Sequence, residues 1–212
     1  MIILLGNRKG GCGKSTICVN LAAHVKNNMK SSLVILDSDR QETASNWTED
    51  REENESDLKY IPLVQKYGKI KNTIVELAKK YDHVVVDVAG RNSDEMRSAM
   101  MVADVMVMPF KPSKGDFGTI PDMLEALEEV AEINPKLRAV AMLNMCNTSV
   151  TNKHENRQWR EILEQIDVFE LAPNIYDRKA YRDCLLTGEG VYEMKNKQAK
   201  EEIESLFKVI FK

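Results

Sequence analysis

The chain has 212 residues, 43% hydrophobic and 30% charged, with a formal net charge of −3. This is an ordinary balance for a water-exposed domain, and any nucleic-acid contact must come from a local basic patch, not from the global field. No stretch approaches the roughly 20 apolar residues of a membrane span, and the apolar start before Gly6 is too short for a signal peptide. The four cysteines, Cys12, Cys18, Cys146 and Cys184, lack C-x-x-C spacing, which argues against a zinc site or disulfide framework and for reduced cytosolic thiols. The length suits a single domain over residues 1–212.

In chain order, residues 2–5 read as a first strand and 15–26 as a first helix. Residues 33–36 form a second strand ending at Asp37, and the acidic segment 48–57, which lacks strong periodicity, reads as an exposed helix end or loop. Residues 70–80 read as helix and 83–87 as a strand built on three consecutive valines. A strand over 105–108, a helix over 120–133, a strand over 137–143 and a helix over 155–166 follow. A short strand at 168–171 and helices over 179–186 and 197–211 complete the chain. Apolar β-branched runs alternating with amphipathic stretches predict βαβ units. Strands apolar along their whole length predict a mostly parallel sheet with helices on both faces, a three-layer α/β fold.

The stretch Lys9-Gly10-Gly11-Cys12-Gly13-Lys14-Ser15-Thr16 lies between the first strand and the first helix, the context of a phosphate-binding loop. Glycines let backbone N–H groups crowd around phosphate oxygens, and the helix presents its positive end. Lys14 is placed to reach the β- and γ-phosphates and Ser15 to ligate Mg²⁺. The ordinary pattern asks for glycine at position 8, where Arg8 stands, and a second lysine, Lys9, directly precedes the glycines.

K-G-G-x-G-K-S/T resembles the deviant Walker A signature of the ParA/MinD group of P-loop ATPases, with Lys9 on the signature lysine. The similarity to small, ParF-like ParA partition ATPases runs along nearly the whole chain and implies the three-layer P-loop NTPase fold. Asp37-Ser38-Asp39-Arg40-Gln41 resembles the D-x-D-P-Q motif of ParA proteins. The resemblance implies that Asp37 helps hold the magnesium shell and that Asp39 orients the attacking water. Arg40 stands where the family usually has proline. It leaves the loop less rigid, or contacts phosphate or a partner subunit. Asp87, closing Val84-Val85-Val86, has the Walker B arrangement that usually reaches Mg²⁺ through water, and Ala89-Gly90 is backbone able to approach the γ-phosphate. Pro112-Ser113 and Asp116 match the P-x-x-P-S-x-x-D pattern of small ParA proteins, whose loop lies near the dimer interface. An ordinary capped β–α connection is the alternative.

The resemblance also implies an adenine site between residues 144–147 and 173–176, with Asn144, Pro173 and Asn174 as candidate contacts. A strand-end asparagine capping its own turn is an equal reading for Asn144. The guanine-reading N/T-K-x-D motif is absent, which favours ATP over GTP. By resemblance, Lys9 crosses a two-fold interface to the other subunit's nucleotide, as an arginine finger does in trans, so ATP drives a homodimer. The segment Tyr176-Asp177-Arg178-Lys179-Ala180-Tyr181-Arg182, continued by Gly188-Glu189-Gly190-Val191-Tyr192-Glu193, matches a C-terminal family segment. It makes Arg178, Lys179, Arg182, Lys195 and Lys197 candidates for non-specific DNA contacts, against the alternative of a solvated basic face.

The functional expectation is a cytoplasmic, nucleoid-associated partition ATPase using ATP and Mg²⁺. Its partners are bulk DNA and a ParB-like centromere-binding protein that stimulates slow hydrolysis. A MinD-like membrane switch is the competing class. The final helix has an apolar face of Ala199, Ile203, Leu206, Phe207 and Ile210, but its polar side mixes lysine with glutamate, unlike the basic face an anionic bilayer selects. Packing of that helix on its own domain, without a membrane partner, is the expectation. A metabolic P-loop enzyme such as dethiobiotin synthetase needs neither Lys9 nor the D-x-D-x-Q motif. Nitrogenase iron protein needs two cluster cysteines, and only Cys146 lies in a comparable region.

Overall fold

A computed structural model describes residues 1–90, 93–149 and 153–212. The elements are β1 (Ile2–Leu5), α1 (Lys14–Asn28), β2 (Leu33–Ser38), α2 (Thr43–Glu53), β3 (Leu63–Gln65), α3 (Lys71–Ala78), β4 (His83–Val88) and α4 (Asp94–Met100). They continue with β5 (Val105–Phe110), α5 (Lys114–Phe117), α6 (Ile120–Ala131), β6 (Arg138–Leu143), α7 (Lys153–Glu164), β7 (Glu170–Leu171), α8 (Lys179–Thr187) and α9 (Lys197–Ile210). The strands form one sheet in the order β3-β2-β4-β1-β5-β6-β7, and the pairings are parallel. The order reverses direction around β1, a switch point where a cleft opens beyond the carboxyl ends of the strands.

Alternate strand residues feed two cores, as the pleat requires. Ile3, Leu5, Ile35, Val85 and Val107 pack against α1, α2, α8 and α9. Leu4, Leu36, Val84, Val86 and Met106 pack against α3, α4, α6 and α7 on the opposite face. The three-layer expectation is met. Helix α1 is buried almost throughout, from Ile17 to Val25, because the sheet lies on one side and α9 on the other. The apolar face of α9 is used in the same core, with Ala199, Ile203, Leu206 and Ile210 fully buried.

Four stretches differ from the sequence expectation. The acidic segment at 48–57 begins inside α2, whose residues Trp47, Thr48 and Arg51 are buried. Arg51 donates to both carboxylate oxygens of Glu193 at 2.9 and 2.7 Å, to Gly188 O at 2.8 Å and to Lys59 O at 2.9 Å, which locks α2 to the turn before α9. Strand β3 and helix α4 are additional: β3 has only three residues after Pro62, and α4 is capped by Ser93, whose hydroxyl accepts from Met96 N. The connection after β5 contains the single helical turn α5.

Candidate nucleotide-binding site

After β1 the chain turns through residues 6–13 into α1. Gly13 occupies the N-cap with φ 92° and supplies no side-chain cap, so the first-turn N–H groups remain available beneath a cavity of about 610 Å³. A Cβ at Gly13 would lie 2.3 Å from Asn144 Nδ2, in a left-handed conformation that side chains avoid. Lys14 is buried and lines this cavity, its Nζ donating to Lys9 O at 3.1 Å. Cys12 is fully buried, its Sγ donating to the same carbonyl at 3.3 Å. Burial raises its thiol pKa against the opposing charge of Lys14, so it is a small filler and not an activated thiolate. Gly90, after β4, closes over the loop: a Cβ there would come within 2.5 Å of the Gly10 backbone and 2.6 Å of Lys9 O.

Parallel register sets Asp37 opposite Asp87 and Asp87 opposite Leu5, bringing both carboxylates to the strand ends beside the loop. Their environments differ. Asp37 accepts from Asp39 N at 3.0 Å and from Ser45 N and Oγ at 3.0 and 2.7 Å, anchoring the first turn of α2. Burial raises its pKa while these bonds oppose the rise. Asp87 is fully buried, and among the described residues neither of its oxygens has a hydrogen bond of ordinary geometry. Burial pushes its pKa up to about 7, with the Ser15 hydroxyl opposing and Asp37 adding to the rise.

A buried carboxylate without a protein donor is costly unless a cation answers it. The hydroxyl and carboxylate of Ser15 and Asp87 fit Mg²⁺, which takes oxygen ligands and keeps water and phosphate instead of an all-protein cage. Among the described residues no group of three or more His, Cys, Asp or Glu is arranged to hold a metal. Asp39 lines the cavity beside this pair and accepts from Gln41 N at 3.0 Å.

Lys9 contrasts with Lys14. It is exposed, and among the described residues its ammonium makes no hydrogen bond or ion pair; its Nζ lies 3.9 Å from where a Cβ on Gly115 of α5 would be. Its backbone is fixed by the fully buried Asn7, which sequence reading missed. Asn7 Oδ1 accepts from Lys9 N at 3.0 Å, and its Nδ2 donates to Pro109 O at 2.7 Å. A polar side chain directly after an apolar strand was the available signal. Arg8 pairs with Asp122 of α6 at 3.0 Å. Ser113 and buried Asp116 hold each other, the carboxylate also accepting from Lys111 N at 3.1 Å, which is the geometry of a capped connection.

The two segments expected around adenine do meet: Ile175 N donates to Leu143 O, Cys146 N to Ile175 O, and Asp177 N to Cys146 O. Their named side chains face elsewhere. Asn144 donates through Nδ2 to Cys12 O at 2.7 Å and braces the phosphate loop, while Asn174 Oδ1 accepts from Arg160 at 3.3 Å and Pro173 lines a separate hollow. Met145 and Leu185, unmarked by sequence reading, line the nucleotide cavity instead. The basic C-terminal residues are mostly paired with carboxylates. Arg178 meets Glu202 at 2.7 Å, Lys179 meets Asp183 at 2.8 Å, Arg182 meets Asp177, and Lys197 lies 3.7 Å from Glu201. Lys195 is exposed and carries no ion pair among the described residues.

A family model described as the CobQ/CobB/MinD/ParA nucleotide binding domain matches residues 3–191. "Maintenance of carboxysome distribution protein A" of Halothiobacillus neapolitanus is 26% identical over 207 residues, 96% of this chain and 93% of that protein. "Protein ParA" of Rhizobium radiobacter is 25% identical over 221 residues, 100% of this chain and 96% of that protein. The solved structure of a putative plasmid partition protein from Borrelia burgdorferi B31 bound to AMPPNP has the same fold. Its TM-score is 0.76 at 16% identity, over 99% of this chain and 98% of that one.

Proposed function

We propose, from the premise that this chain belongs to the CobQ/CobB/MinD/ParA nucleotide-binding family, that it is a ParA-type switch ATPase. In this reading ATP binding closes a homodimer that holds bulk DNA, and a centromere-binding partner stimulates hydrolysis to release it. The observation that carries the reading is the pair of lysines. Lys14 is buried within its own loop, whereas Lys9 stands exposed at the loop's outer edge and unpaired among the described residues, which supports a role toward a second subunit.

Backbone N–H groups from Gly10 to Ser15 cradle the phosphates, and Lys14 turns from Lys9 O to phosphate oxygen. Ser15 and Asp87 would hold Mg²⁺, which when bound would supply charge neutralisation at the terminal phosphates. Asp39 positions the attacking water, and Lys9 of the facing subunit answers the charge developing on the transferred phosphoryl group. Asp37, with its three hydrogen bonds, keeps the Asp39 segment in register with α2 and is the lesser of the two metal carboxylates. Met145 and Leu185 offer apolar surface to the base.

The basic C-terminal strip enters this function mainly through Lys195, with Lys179 and Lys197, whose side chains are 80% and 88% exposed, able to exchange carboxylate for phosphate. The test is fluorescence anisotropy on a mixed-sequence DNA duplex with ATP and Mg²⁺ across a salt series. Binding should require ATP, and Lys195→Ala should lower the slope of log affinity against log salt by about 0.9. ATP-driven dimers that ignore DNA would contradict the DNA half of the reading.

A second reading keeps the same cycle for another cargo. It is favoured by the near-equal identity to a carboxysome distribution protein and to a ParA protein. A membrane switch has less support, since the apolar face of α9 lies in the core. Among the described residues no helix is long and apolar enough to cross a membrane.

A further inference from the structure

Arg40 lines the nucleotide cavity next to Asp39, and the ATPase reading gives it no task. Among the described residues its guanidinium has no hydrogen bond and no ion pair; its carbon lies 5.0 Å from the ring centroid of Tyr67. Tyr67 is itself held, its hydroxyl donating to Glu42 at 2.9 Å. A guanidinium resting on an aromatic face keeps its in-plane N–H donors available, in the planar fork that matches phosphate oxygens.

The position within the cavity is informative. Met145 Cε approaches the loop at Gly13, 3.2 Å from where a Cβ there would be, so the apolar end of the cavity lies at the loop's end. Gly90 closes on Gly10 and Lys9, at the loop's beginning. Glu95 lines the same cavity as Gly90, and its carboxylate accepts from Gly68 N at 2.7 Å and feels the charge of Arg40. Arg40 therefore stands at the end of the cavity remote from the base, beside the water-positioning Asp39.

We propose that Arg40 is a ligand of the terminal phosphate of the nucleotide bound in its own subunit, poised on Tyr67 until a triphosphate arrives. This deepens the ATPase reading and rests on it. The consequence is selectivity: Arg40 strengthens binding of a triphosphate and leaves a diphosphate unaffected.

Titration calorimetry with AMPPNP and with ADP, each with Mg²⁺, tests this in a chain carrying Lys9→Ala, so that the cation from a facing subunit does not contribute. Adding Arg40→Ala should weaken AMPPNP about tenfold and change ADP by less than about twofold, and Arg40→Lys should recover part of the difference. Arg40 is exposed, so the fold should survive, and an unchanged Tm checks that. Equal losses for both nucleotides, or no loss for either, overturns the assignment. A loss confined to chains that keep Lys9 also overturns it, because Arg40 would then reach the facing subunit's nucleotide. If the parent chain binds neither nucleotide, the ATPase reading itself fails.

Discussion

Asp87 and Lys9 show how the same loop surroundings produce opposite kinds of residue. Asp87 is a buried carboxylate with no hydrogen bond of ordinary geometry among the described residues, a cost that a bound cation relieves. Lys9 is an exposed cation whose ammonium has no acceptor among the described residues, while its backbone is held by Asn7. Between them lies Gly90, packed so closely on Gly10 and Lys9 that a side chain has no room. Gly90→Ala should therefore displace the loop and weaken Mg²⁺-nucleotide binding at least about tenfold, or about 1.4 kcal/mol, measured by calorimetry. An unchanged affinity would show that the loop yields freely. The shared location of Lys14, Ser15 and Asp87 at the strand ends was legible in the sequence, because each is fixed by local spacing within one strand–loop unit. Asn7 and Asn144 were not, because their partners lie 102 and 132 residues away along the chain. A polar residue after a strand has the same appearance whether it caps its own turn or braces a distant loop.

The helix α2 carries the same lesson at the level of elements. Its polar, acidic sequence has little periodicity, yet Arg51 is buried because Glu193 and two carbonyls receive its guanidinium. Arg51→Met would leave Glu193 without its charge partner, and removing one member of a buried pair costs about 3–5 kcal/mol. Burial acts to raise the pKa of Glu193, but the bonds from Arg51, Gly190 N and Asn27 outweigh it, and the carboxyl titrates below its ordinary 4.5. A depressed folded pKa means that its stabilisation is complete above about pH 4.5 and is lost as pH falls through the lower folded value. The Tm advantage of the wild type over Glu193→Gln should be largest near neutrality and shrink in acid. A constant difference from pH 3 to 7 would contradict the role given to the pair. The long strands and the amphipathic α9 were legible because packing follows their apolar pattern. The three-residue β3 and seven-residue α4 were not, since a strand pattern is read over about 4–8 residues and a helical one over about 11–18.

At the scale of the whole molecule, the parallel sheet brings the residues following β1, β2 and β4 to one edge, which the proposed function takes as half of a site. In that proposal one subunit would supply the cradle, the metal pair and the water-positioning carboxylate. Its exposed Lys9 has no acceptor among the described residues and would serve the nucleotide of a second copy. ATP then stabilises the dimer by binding it better than the monomer, and hydrolysis removes that preference. The decisive measurement is sedimentation of the wild type and Lys9→Ala with Mg²⁺ and either ATP or ADP, with nucleotide binding followed in parallel. The account predicts that the wild type doubles its mass with ATP alone, whereas Lys9→Ala binds ATP but stays monomeric and does not hydrolyse it. A Lys9→Ala chain that dimerises and turns over ATP like the wild type would contradict it.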